Sequence, residues 1–151
     1  MREAIRQALE QYFSDSWKVS PGGAPRTAIA WMNTTHEPVA TLPWVRFSII
    51  EAGAGRAFMG KDEEWGRRTF GGVVVQVFVP ARSGLGAANV LAGHVSALFD
   101  EQRVLFSGGS FSGTITFGVA TVRAIPPREG ATWQQVNVEA PYDTVVEQVT
   151  A

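Results

Sequence analysis

The chain has no cysteine and only two histidines, His36 and His94, in 151 residues. Without cysteine there are no disulfides, zinc fingers or thiol chemistry, and the redox compartment stays open. No run of about 18 apolar residues occurs, so no transmembrane helix is expected. Met1-Arg2-Glu3-Ala4-Ile5-Arg6 carries an acid and has no apolar stretch behind it, so no secretory signal is expected there. An excess of one charge is missing too. Thirteen basic and 14 acidic residues leave a net charge of −1, whereas a general nucleic-acid binder shows a basic excess.

What is present is a globular composition, 45% hydrophobic and 18% charged, sufficient for a core and against global disorder. The length suits one domain over 1–151. The charges are segregated. They collect in the N-terminal segment, in 53–68 and in 123–129, while 83–99 and 104–122 have none.

Ile5, Ala8, Leu9, Tyr12 and Phe13 recur at helical spacing and predict an amphipathic helix ending near Ser14-Asp15-Ser16. Ser20 to Pro25 has the chemistry of a loop. Thr27 to Met32 predicts a short strand. Trp44 to Ile50 alternates, with Val45, Phe47 and Ile49 on the buried side. Residues 53–68 are polar and glycine-rich and lie between strands, which fits a long hairpin arm or loop. Phe58, Met59 and Trp65 within it have no obvious core to join. Thr69 to Val79 is apolar on both faces and predicts a central strand covered on both sides.

Ser83 to Phe99 predicts a helix with Ser83 as N-cap and a stripe of Leu85, Ala88, Leu91, Ala92, Val95, Leu98 and Phe99. Its other side, with Gly86, Ala87, Val90, Gly93, His94 and Ala97, is small and uncharged. Two internal glycines oppose helix propensity, so a close packing partner is expected there. Val104-Leu105-Phe106 begins another apolar piece and Ser107 to Gly113 reads as a loop. Gly113 to Ile125 reads as one long strand and Thr132 to Tyr142 as the last clear one. Val145, Val146 and Val149 can add a short strand within 143–150. The order is α+β: a mainly antiparallel sheet with two helices packed on it.

Chemical motifs are scarce. Gly84-Leu85-Gly86-Ala87-Ala88-Asn89 nears a dinucleotide fingerprint, but Asn89 stands where a glycine is needed. A flexible helix start accounts for it. Gly108 to Gly113 lacks the glycines that a nucleophile elbow places around its serine. The histidines form no metal-ligand pair. His36-Glu37 alone could join a metal site, but no third ligand is indicated. Asp62-Glu63-Glu64 beside Arg67 and Arg68 reads as a solvated or partner-paired run. No arrangement amounts to an active site, cofactor site or metal site.

Several segments in order resemble the tail terminator, or tail completion, proteins of long-tailed bacteriophages and prophages, the lambda type included. They are Ile29-Ala30-Trp31-Met32-Asn33, then Pro43-Trp44-Val45-Arg46-Phe47, then Arg67 through Pro80 with its Gly72-Val73 and Val77-Phe78-Val79-Pro80. A helix ending in Ala97-Leu98-Phe99 follows, and Trp133-Gln134-Gln135-Val136-Asn137-Val138 closes. The resemblance spans about residues 2–142.

This resemblance implies a structural protein of the virion tail, assembled in the bacterial host cytoplasm. It implies a homo-oligomeric ring, typically a hexamer, on the head-proximal end of the tail tube, stopping polymerisation and offering the head-joining surface. Partners would be other copies, the tail tube protein and head–tail connector or neck proteins, with phage DNA only passing through the lumen and no membrane. Gly86, Val90, Gly93, His94 and Ala97 are then expected at the subunit interface. Arg56, Phe58, Lys61, Trp65, Arg67 and Arg68 are expected on an arm facing tube or lumen. Lys61, Arg67 and Arg68 could line a DNA channel, although the acids beside them favour mixed-charge protein docking. The competing readings are a neck or head–tail adaptor, a small enzyme with an unrecognised site, and a host protein sharing the sheet.

Overall fold

The computed structural model describes residues 2–59, 65–108 and 111–148. Helix α1 covers Arg2–Ser16 and is followed by β1 (Ala28–Ala30). Strands β2 (Trp44–Met59) and β3 (Trp65–Pro80) come next, then a single 3-10 turn at Ala81–Ser83 and helix α2 (Gly84–Phe99). Strands β4 (Arg103–Gly108), β5 (Phe111–Phe117), β6 (Thr121–Ile125) and β7 (Trp133–Gln148) complete the chain. They form one sheet in the order β1-β2-β3-β7-β5-β4, with β6 also paired to β7. The β1–β2 pairing is parallel and the others are antiparallel.

Alternation decides which side is the core. Val73, Val75, Val77 and Val79 of β3, with Val136, Val138 and Ala140 of β7, are buried on the side that both helices cover. The α1 face read from the sequence lands there, with Ile5, Leu9 and Phe13 buried. Phe13 stacks on Trp17, Phe47 and Phe99 at ring distances of 5.4, 5.1 and 6.0 Å. The Tyr12 hydroxyl donates to the Leu98 carbonyl at 2.6 Å, joining the two helices.

Several expectations are corrected. The helices cover only one side of β3, and Val74, Gln76 and Phe78 on the other side are half-buried. The segment 113–125 is two strands. Pro141 of β7 accepts from the Gly118 N–H at 2.9 Å but has no N–H to return toward that edge, so the ladder breaks at 118–120. The broken stretch is held instead by Asp100, whose Oδ1 accepts from the Ala120 N–H at 2.9 Å. The expected loop at 107–113 narrows, because Ser107 pairs with Ser112 and Gly108 with Phe111. Ser83 makes no side-chain cap and its backbone is helical, since the 3-10 turn already leads into α2. Leu85 leaves the buried stripe and is exposed. Residues 143–148 continue β7, pairing Asp143 with Phe70 and Glu147 with Gly66.

The arm is the outer half of the β2–β3 hairpin. Its ladder continues to Met59↔Trp65, with register shifts between Glu51 and Gly53 and between Arg56 and Phe58. Each shift leaves one alanine, Ala52 or Ala57, out of the ladder, the signature of a bulge. At the arm's root Gly71 is required by close approach. A Cβ there would meet the Ile50 carbonyl oxygen and lie 2.6 Å from the Tyr142 hydroxyl.

Candidate functional site

Among the described residues an apolar surface is left uncovered on each side of the sheet. The first is the outward side of α2. A 16-residue helix turns its Ala88, Ala92, Val95 and Phe99 inward, so Gly86, Ala87, Val90, Gly93, His94 and Ala97 point away from the sheet. All six are exposed, and Val90 is 62% exposed. A Cβ at Gly86 or Gly93 would meet nothing within 4 Å. The packing partner expected from the two glycines is therefore not among the described residues. Val119 just before β6 and Val122 within it are also exposed, and β6 contacts α2, so the apolar surface continues past the helix.

The second surface is on the helix-free side, at the root of the arm. Register alignment brings Leu105, Thr114, Val145 and Arg68 into one row across β4, β5, β7 and β3. The next row is Arg103, Thr116, Asp143 and Phe70, and the next places Pro141 and Gly72 beside Ile50. Leu105 is 79% exposed, and Ile50, Phe70 and Val145 are exposed with it. At the centre Arg68 forks onto Asp143, with Nε donating to both carboxylate oxygens at 2.9 and 2.8 Å. The guanidinium also lies over the Phe70 ring at 4.7 Å. The Asp143 hydrogen bonds raise the Arg68 pKa further above its ordinary value, so the cation is permanent and already neutralised within the chain.

The expected arm residues fare unevenly. Arg56 and Phe58 lie on β2, Trp65 and Arg67 on β3, and Arg56 pairs with Arg67 across the ladder. Lys61 lies outside the described residues. Arg68 lies on β3 at the arm's root, paired across the sheet with Asp143. The residues missed by sequence reasoning are Phe70, Leu105, Asp143 and Val145. Ile50 was already placed on the side opposite Val45 and Phe47. For the others the signal was strand alternation, but the pairing that gathers them spans 75 residues between Arg68 and Asp143.

The minor motifs yield no chemistry. β3, α2 and β4 do not form a parallel βαβ unit, because β4 pairs with β5 at the far end of the sheet. The near-fingerprint at Gly84–Asn89 therefore lacks its frame. His36 packs on Trp44 with rings 4.8 Å apart. Among the described residues no three metal-ligating side chains cluster.

Residues 4–142 match the family model described as phage tail terminator protein. The chain belongs to the phage tail terminator family. Two solved structures share the terminator chain's fold. One covers 95% of both chains with a TM-score of 0.65 and 22% identity. The other, the virion of a native gene transfer agent particle, covers 97% of both with a TM-score of 0.52 and 18% identity. At such identities the likeness concerns the fold. No curated protein matches the sequence. A terminator is a structural component of tail assembly, not an enzyme. The exposed apolar surfaces of this terminator chain are accordingly candidates for protein contact.

Proposed function

We propose that the protein forms a closed homo-oligomeric ring, a hexamer, on the head-proximal end of the tail tube. There it stops tube polymerisation and presents the surface that the head joins. The observation that carries this reading is the uncovered, charge-free side of α2 in a family of tail-assembly proteins. A solitary soluble domain covers or charges such a helix side. Val90, Gly93, His94 and Ala97 serve as subunit contacts. The arm, carrying Arg56, Phe58, Lys61, Trp65 and Arg67, faces the tube or the lumen. DNA only passes through that lumen, and the neck proteins bind on the far side.

The test combines purified tail-tube protein with this chain under tube-forming conditions. Negative-stain images should show a ring capping one end of each tube, and tubes should stop lengthening once the chain is added. Binding to portal or neck complexes with no effect on tube length would replace this reading with a head–tail adaptor.

A further inference from the structure

We propose that the two uncovered surfaces meet each other between copies. The α2–β6 surface of one subunit seats on the helix-free sheet face of the next, with Val90 and Gly93 against Phe70, Leu105 and Ile50. This rests on the ring reading above and adds which faces join.

Four observations lead here. The first is placement. Ile50, Phe70 and Leu105 lie on the side of the sheet opposite the one that α2 covers, so one chain cannot bring its own two surfaces together. Like-on-like contact would bury one and leave the other bare in every dimer. A head-to-tail contact covers both, and it is the kind of contact from which a closed ring is built.

The second is shape. The helix surface is low at Gly86, Ala87, Gly93 and Ala97, with open space above the glycines, and rises at Val90 and His94. The sheet surface is raised by Phe70, Leu105 and Ile50, all exposed. The third is charge. The helix surface carries none; on the sheet surface Arg68 and Asp143 neutralise each other, and the exposed Arg103 stands at the β4 edge. Their contact strands no charge at the centre, where a strongly charged partner would find no complement. The fourth is size. Sixteen helical residues span about 24 Å. The five strands from β2 to β4 span about 19 Å at their usual spacing. Helix-on-sheet is also the packing that α2 makes inside its own chain.

The absence of cysteine makes the test clean. A Val90→Cys/Phe70→Cys double variant is treated with a short bis-maleimide and run on a denaturing gel, beside native mass spectrometry. A ladder running past the dimer is expected. Each single variant alone should stay monomeric on the gel, and a mixture of the two singles should stop at the dimer. Both positions are exposed, and Ala97→Cys/Leu105→Cys provides an independent second pair. Dimers from Val90→Cys alone would overturn the proposal in favour of helix-on-helix contact. Native oligomers without a ladder from either pair would overturn it and leave the ring intact. Neither oligomers nor a ladder, even on tail-tube ends, would remove the ring and the pairing together.

Discussion

α1 and α2 are 15 and 16 residues long and cover the same side of one sheet, yet they present opposite surfaces to solvent. Outward on α1, Arg6 hydrogen-bonds Glu3 and Glu10, Gln7 reaches Glu3 at 3.1 Å, and Gln11 reaches Asp15 at 2.8 Å. These i,i+3 and i,i+4 pairs complete a hydrated helix side without help. Outward on α2 there is no charge, two glycines and a largely exposed Val90. The same packing problem is solved in one helix and left half-solved in the other. A helix that spends propensity on exposed glycines and hydration on exposed valine is arranged for a surface that the described residues do not supply.

The comparison is broken most severely on the shared inner side. Phe13 is fully buried and packs against four other aromatic rings. Phe13→Ala should cost about 3–5 kcal/mol, enough to unfold a marginal domain, read by thermal or urea denaturation. Because Phe99 of α2 lies in the same cluster, both helices should be lost in a single transition. Two separate transitions would show that α1 and α2 belong to independent cores.

Gly93 tests the outer side of α2. Its Cβ position is open, so Gly93→Ala should stabilise the monomer by about 0.5–1 kcal/mol. Gly93→Leu should also fold, with stability near that of the parent, but should fail to form rings by native mass or imaging. If Gly93→Leu unfolds the chain, that side is packed from within. If it both folds and assembles, α2 is not an interface.

Much of this contrast was legible in the sequence. The α1 face, the small side of α2 and the alternation of β2 follow from local spacing, because each is set by neighbours within a turn or a strand. What was not legible depends on distant partners. The break at 118–120 comes from Pro141 on β7. The neutralisation of Arg68 comes from Asp143, also on β7. The hairpin arm was legible as a polar stretch between two strands, but its two bulges were not, because they are set by the register of the β2–β3 ladder. Trp17, fully buried with its indole N–H on Thr27 at 3.0 Å, sits just past the helical repeat that would have flagged it.

A smaller effect separates the arm's root from the helices through pH. Tyr142 is buried beneath Gly71, and its hydroxyl has no hydrogen-bond partner among the described residues. Burial, with a lesser contribution from the Glu51 carboxylate, pushes its pKa up from 10.0 to about 12. The neutral phenol is favoured in the folded state. Its contribution is therefore complete below pH 10.0 and is lost as the pH rises toward about 12. Tyr142→Phe should leave neutral-pH stability nearly unchanged, since no bond is lost, and should flatten the alkaline fall in melting temperature. An unchanged alkaline fall would assign it to other groups.

The smallest expected effect is on the hydrated side of α1. Arg6→Gln removes the centre of the Glu3–Arg6–Glu10 pairs. Glu3 would then lose its largest source of pKa depression, the Arg6 hydrogen bond. Exposed pairs of this kind contribute little and are screened by salt. The melting temperature should fall slightly in dilute buffer and match the parent in high salt, with ring formation untouched. If Arg6→Gln instead abolished assembly while Gly93→Leu spared it, the assignment of the two helices would be reversed: the charged side of α1 would be the contact, and the bare side of α2 would be exposed in the finished ring.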